Sequence, residues 1–343
     1  MVDLLHTLVE DPVIEHDMEA LFADALVKLV KRSWCYPTCL VLNNITLGAP
    51  FEVIAGGFSE VRKGYIQGRT IAVKQVRSYR SDLEELLKDC AREAIIWSRV
   101  SHHNLLPFYG VFYLDDQHSR ISLISPWMER GHIGQYLAQF PETDRDPLAM
   151  DIAQGIKHLH TSVPTVIHGD LKPCNIFITP SGTACLADFG LAYARDPQRR
   201  IATSSQGPAH GGTCPYQAPE LLNDEPVSFA GDVYAFACVL YEMYSGIRPF
   251  HRRNSAGIIH AVTTGERPAR PTGVRDLIWG LIEECWHQTP WKRPSASHIV
   301  DKLAVIALPG QRPQHQWDDS FRTAIRGRYP LTDHPLSHFA GLP

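Results

Sequence analysis

The stretch VIHGDLKPCNIFI, residues 166–178, sets Asp170, Lys172 and Asn175 behind His168 and between two apolar runs that read as strands. NIFI is expected to be a strand, TPSG a turn and TACLA its antiparallel return. That hairpin brings Asn175, at the start of one strand, close to Asp188, just after the other. An amide oxygen and a carboxylate at one hairpin end are hard ligands of the kind Mg²⁺ on substrate phosphates requires. Asp170, on the connecting loop beside that metal, can accept a proton from an attacking hydroxyl. Lys172 faces the same way and can balance charge on a phosphoryl group in transfer. Each residue alone reads as a solvated loop charge. Together, at this spacing, they argue for phosphoryl transfer.

A second constellation lies upstream. RTIAVKQVR places Lys74 in an alternating strand, flanked by Ala72 and Val73. The helix DLEELLKDCAREAIIWSRV has an inward stripe at Leu83, Leu87, Cys90, Ala94 and Trp97, with Glu93 on its edge. A carboxylate at the rim of a core stripe needs a cation, and Lys74 is the natural partner. Such a pair would hold Lys74 against ATP phosphates.

The elements positioning these residues divide the chain. From about 47 to 125 the pattern is strand-rich, with one helix at about 82–99. From 131 to 306 it is mainly helical, with a short hairpin at 176–187. This is an α+β, bilobal arrangement with a small β-rich N-lobe and a larger helical C-lobe, and ligands favour crevices in such folds. Residues 1–46 are expected to form an N-terminal helical extension. Within it 17–31 carries Met18, Leu21, Phe22, Ala25, Leu26, Leu29 and Val30 at helical spacing. That helix packs on the body of this chain or docks a partner. YPTCLVLNNITL suggests a short strand, an Asn-Asn turn and a second extended piece. Residues 307–343, rich in Pro and His and without periodicity, read as a poorly ordered tail.

Composition narrows the function class. Of 343 residues 44% are hydrophobic and 20% charged, typical of a globular protein with a sizeable core. A net charge of -4 offers no footprint for nucleic acid. The eight cysteines are scattered singly, as for reduced intracellular thiols. No apolar run has the length of a membrane span, and the first residues carry early acids and no basic region, a poor signal peptide. The expectation is an intracellular protein, cytoplasmic or nuclear, without membrane insertion.

The chain resembles a eukaryotic protein kinase domain over 47–306, divided into 47–130 (N-lobe and hinge) and 131–306 (C-lobe). IAVK (71–74), HGDLKPCN (168–175), DFG (188–190) and APE (218–220) appear in the order of the family's signatures. GGTCPYQAPE, GDVYAFACVLYEMYSG, RPF and WKRPS are similar to later family segments. The resemblance implies catalytic roles for Asp170, Lys172, Lys74 and Glu93, and metal binding by Asn175 and Asp188. It implies ATP with Mg²⁺, or Mn²⁺ in its place, as cofactor. It also implies a nucleotide pocket walled by Val61, Ala72 and Phe177, with a hinge containing Ser125, Pro126 and Met128. Glu220 would pair with Arg293, and Asp232 would brace the catalytic loop. The D-L-K-P-x-N loop and Thr213 are similar to Ser/Thr-specific kinases. The wording around CAREAIIWSRVSHHNLLPFYGV resembles the tyrosine-kinase-like group as found in fungi.

Two departures stand out. Gly169 occupies the place of the Arg that in most regulated kinases binds a phosphate on the activation segment. The resemblance therefore implies an enzyme that works without phosphorylation of Thr203, Ser204 or Ser205. The family's G-x-G-x-x-G aligns with IAGGFS, so Ile54, Ala55, Gly56 and Gly57 would cover the phosphates with only Gly56 at a motif position. A one-residue deletion would let the two glycines serve differently. A thin glycine loop leaves room for a second reading, a nucleotide-binding scaffold without transfer. A third, a small-molecule phosphotransferase, shares HGD and the Asn but normally lacks A-P-E and the late Arg293. The expected substrate is a Ser/Thr-bearing protein.

Overall fold

The computed structural model describes residues 1–10, 14, 16–33, 35–49, 53–55, 59–76, 83–114, 121–163, 165–188, 193–195, 214–306 and 314–326. The chain divides into two compact units.

The first unit comprises 1–99, 107–127 and the chain from Trp317 onward. Its helices are α1 (Val2–Glu10), α2 (His16–Ser33) and α3 (Leu83–Arg99). Its strands are β1 (Thr46–Leu47), β2 (Val53–Ala55), β3 (Ser59–Ile66), β4 (Arg69–Val76), β5 (Gly110–Tyr113) and β6 (Ile121–Pro126). They form one antiparallel sheet in the order β1-β3-β4-β6-β5, with β2 also on β3. Gln67 and Gly68, both at positive φ, make the tight β3–β4 turn.

Register sorts the side chains onto two faces, because opposed residues share a face. Val61, Lys74 and Leu123 stand in one row and Lys63, Ala72 and Ser125 in the next, all on one face. Arg62, Val73 and Ile124, with Gly64 and Ile71, occupy the other. α3 buries Cys90, Ala94 and Trp97 as the periodicity predicts, and Ala91, Ile95 and Ile96 as well. The additional burial follows from α2, which lies along α3, buries Leu26 and Val30, and ties Glu19 to Arg99 at 2.5 Å. Met18 and Leu21, at the start of that stripe, stay exposed. The expected strand after Pro37 is instead a 3₁₀ turn, Thr38–Leu40, followed by a single bridge from Val41 to Val111. Pro37, with no N–H to give a ladder, precedes that turn. At the Asn-Asn pair, Asn44 takes a left-handed backbone at φ 59° ahead of β1.

The second unit comprises 100–106 and 128–316. It holds α4 (Ile133–Gln139), α5 (Asp146–Thr161), β7 (Thr165–Ile167), β8 (Ile176–Ile178), β9 (Ala184–Leu186) and β10 (Tyr193–Arg195). Then follow α6 (Pro219–Leu222), α7 (Phe229–Ser245), α8 (Ser255–Thr263), α9 (Asp276–Cys285) and α10 (Ala296–Ile306). α7 is apolar nearly all round, and Val233 to Leu240 are buried without a break, so it is the central helix of this core. Ser228 caps its start by accepting from the Gly231 N–H, and Gly246 at φ 73° ends it. β8 and β9 form the expected hairpin, closed by Gly182 at φ 82°.

One last helix, α11 (Asp319–Ile325), belongs to the first unit. It corrects the expectation of an irregular tail for residues 314–326. Phe321 is buried at 7% exposure in a cluster with Leu42, Ile66, Ile71, Val73, Tyr109 and Ile124. Burying one such ring is worth about 2 kcal/mol, a part of what offsets the entropy cost of ordering a short helix. Among the described residues no helix is long and apolar enough to cross a membrane.

Candidate active site

In the first unit, Lys74 Nζ lies 2.8 Å from Glu93 Oε1, with the two side chains 16% and 5% exposed. The strand delivers the ammonium and α3 the carboxylate. A carboxylate this buried is tolerated because it is paired. Val61, Ala72 and Ser125 share the sheet face of Lys74. Pro126 ends β6, opposite Ile71. Ile54 and Ala55 lie in β2, paired with Val61 and Glu60. Gly56 and Gly57 lie outside the described residues, as do Thr203, Ser204, Ser205 and Thr213.

In the second unit, the loop between β7 and β8 gathers the remaining residues. Lys172 Nζ donates to Asp170 Oδ2 at 2.5 Å. Asn175 Nδ2 donates to the Asp170 carbonyl at 2.9 Å and reaches Oδ2 at 3.3 Å. Asp170 Oδ1 is buried and has no hydrogen-bond partner. Burial pushes the Asp170 carboxyl above its ordinary range, against the pull of Lys172 and with help from the Asp188 charge. The Lys172 ammonium is held above its own range by Asp170 despite the opposing effect of burial. The Ala187 N–H donates to the Asn175 carbonyl at 2.8 Å and extends the hairpin by one step. Asp188 follows immediately, at φ 67°, a left-handed backbone that Asp tolerates and that clusters at functional sites.

This donor set fits a hard divalent cation. The Asn175 amide commits its nitrogen to Asp170 and accepts from the Cys174 thiol at 3.7 Å on Oδ1, an oxygen that would serve a cation together with the Asp188 carboxylate. Phe177 sits half-buried in β8, bridged to His132. The Met128 carbonyl accepts from the Gly131 N–H at 3.0 Å.

The loop is held from α7. Asp232 accepts from the His168 N–H, the Gly169 N–H and His160 Nε2, each at 2.9 Å. Burial works to raise its carboxyl, but His160, His168 and the Gly169 N–H together hold it below the ordinary range. His160 is a partner that the sequence reading missed. No local pattern pairs the two positions, although a fully buried carboxylate requires more donors than a backbone loop supplies. Gly169 stands at φ 78°, where glycine carries no steric penalty. The glycine before Asp170 therefore has a conformational reason as well as a missing side chain. Glu220 and Arg293 form a bidentate pair at 2.6 and 2.8 Å, both buried. A small recess of about 20 Å³ beside the loop is lined by Gly169, Asp170, Tyr216, Gln217, Val227 and Asp232 among others.

Comparison with known proteins places this geometry. The model of the family described as protein tyrosine and serine/threonine kinase matches residues 50–303. The serine/threonine-protein kinase CTR1 of Arabidopsis thaliana is 30% identical over 274 residues, covering 78% of this chain and 32% of its own length. The probable serine/threonine-protein kinase drkC of Dictyostelium discoideum is 31% identical over 259 residues, covering 73% and 33% respectively. The serine/threonine-protein kinase VIK of Arabidopsis thaliana is 30% identical over 270 residues, covering 76% and 60%. The chain thus spans about a third of the length of the first two relatives. With a curled antiparallel N-lobe, a helical C-lobe and this match, the chain belongs to the protein tyrosine and serine/threonine kinase family, in its tyrosine-kinase-like group.

Proposed function

We propose that this chain transfers the γ-phosphoryl of ATP to Ser or Thr hydroxyls of a protein substrate, and that it does so without phosphorylation of its activation segment. The observation that carries the reading is the state of Asp170. One carboxylate oxygen is engaged by Lys172 and Asn175, and the other is buried with acceptor capacity to spare. That oxygen is suited to orienting an incoming hydroxyl and taking its proton. Lys172, held on Asp170, offsets charge on the transferring group. Lys74, fixed by Glu93, grips the nucleotide phosphates. Asn175 and Asp188 would hold Mg²⁺, which when bound neutralises phosphate charge. Serine and threonine as acceptors are supported by the D-L-K-P-x-N loop and by the printed names of the relatives. Independence from activation-segment phosphate is supported by Gly169, which offers no cation to such a phosphate.

The test is transfer of labelled phosphate from ATP–Mg²⁺ by wild type, Lys74→Met and Asp170→Asn, on a generic basic protein and on the chain itself. Label on Ser or Thr that disappears in both variants is expected. No label, together with nucleotide-induced thermal stabilisation, would instead favour a nucleotide-binding scaffold, in line with the sparse glycine loop. Phosphatase treatment and the combined Thr203→Ala, Ser204→Ala and Ser205→Ala variant should leave the rate within about twofold, since the charge-assisted contact such a phosphate makes elsewhere has no partner at Gly169.

A further inference from the structure

Residues 317–326 make a dense set of contacts with the sheet that carries Lys74. Phe321 packs against Ile71 and Val73 of β4, with its ring 5.4 Å from that of Tyr109. The Arg69 guanidinium covers the same ring at 4.2 Å and pairs with Asp318 at 2.5 Å. Asp318 also caps α11 by accepting from the Phe321 N–H at 2.9 Å. At the other end Arg326 donates from Nε to the Tyr109 carbonyl at 3.0 Å and from Nη2 to the Phe108 carbonyl at 2.6 Å.

We propose that this segment is a tethered positioning element for the Lys74–Glu93 pair, with Phe321 and Arg326 as its two anchors. The proposal rests on the kinase reading above for its functional consequence, not for its geometry. Ile71 and Val73 alternate with Ala72 and Lys74 along one strand, so Phe321 supports from behind the strand whose front face presents the lysine. Arg326 holds the backbone of Phe108, whose ring lies tilted against that of Trp97 with centroids 5.2 Å apart. Trp97 lies one helical turn after Glu93 on α3. A single ten-residue stretch thus touches the strand of the lysine directly and the helix of the glutamate through one aromatic contact.

The experiment uses the full chain carrying Phe321→Ala or, separately, Arg326→Gln, with Phe321→Leu as the conservative control. Hydrogen exchange is followed in 69–76 and 83–99, with α7 and α10 as internal references. Steady-state KM for ATP and kcat are measured in parallel. Faster exchange in both segments is expected, with unchanged α7 and α10. KM for ATP should rise about fivefold or more, with a smaller change in kcat. Phe321→Leu, and a synthetic peptide of residues 314–326 added to Phe321→Ala, should restore both readouts. Loss of protection at 317–326 while 69–76 and 83–99 exchange as in wild type would overturn the proposal and leave the segment as surface cover. Should Phe321→Ala fail to fold, Arg326→Gln, at a half-buried position, gives the same decision. If wild type transfers no phosphate, the kinase reading fails, while the exchange data still decide the positioning role.

Discussion

The Gly169 N–H donates to Asp232 Oδ1 at 2.9 Å from a left-handed backbone at φ 78°. The residue before the proposed base is thereby locked to the central helix of its unit. Gly169→Ala should cost about 1–2 kcal/mol through backbone strain. Gly169→Asn should cost less, because Asn visits this region more readily. Urea unfolding of the two variants measures the difference, and equal stability for wild type and Gly169→Ala would remove the conformational account.

Asp232 gives a pH dependence of defined sign. Its folded carboxyl lies below the ordinary range, so its contribution is present above the unfolded value and is lost as pH falls through the folded one. Asp232→Asn should therefore be markedly less stable than wild type at neutral pH, by about 2 kcal/mol for charged hydrogen bonds lost. The gap should narrow below about pH 4, near the unfolded Asp value. Denaturant midpoints at pH 7 and across the acid range test this, and a gap that widened in acid would contradict the assignment.

Lys74 and Glu93 should behave as a coupled pair. Glu93→Gln and Lys74→Met should each abolish most phosphotransfer. Lys74→Met should also destabilise the fold by about 3 kcal/mol, because it removes the ammonium 2.8 Å from a buried carboxylate. The double variant Lys74→Met/Glu93→Gln should be more stable than Lys74→Met alone. Thermal denaturation of the four proteins closes the cycle, and strict additivity would argue that the pair contributes no interaction energy.

Arg293→Lys keeps the charge opposite Glu220 but cannot reproduce the two parallel bonds at 2.6 and 2.8 Å. A loss of about 2 kcal/mol is expected. Arg293→Ala, which strands the carboxylate, should cost more, and the ordering of the two in urea midpoints is the check.

The loop that gathers Asp170, Lys172 and Asn175 was legible in the sequence because its residues lie close together and their hairpin has a turn signature. The Lys74–Glu93 contact was legible because both positions could be placed on faces, one by strand alternation and one by helical period. Three features were not. α1 carries Val2, Leu5 and Val9 at helical spacing, but the stretch is too short for its periodicity to stand out from a disordered start. The role of His160 depends on Asp232, 72 residues away, and no local pattern links them. α11 has only Phe321 buried, so its helix exists by virtue of the apolar site it fills and not through its own pattern.

The family match ends at residue 303, yet the apolar cluster behind β4 is completed by Phe321. A fragment trimmed to the matched range would carry Ile71, Val73, Ile66 and Tyr109 to the solvent as a contiguous sticky surface. Such a fragment should be recovered in poor yield and self-associate on concentration. The border drawn by homology and the border of the folding unit are not the same, and expression work on this chain should be planned around the second.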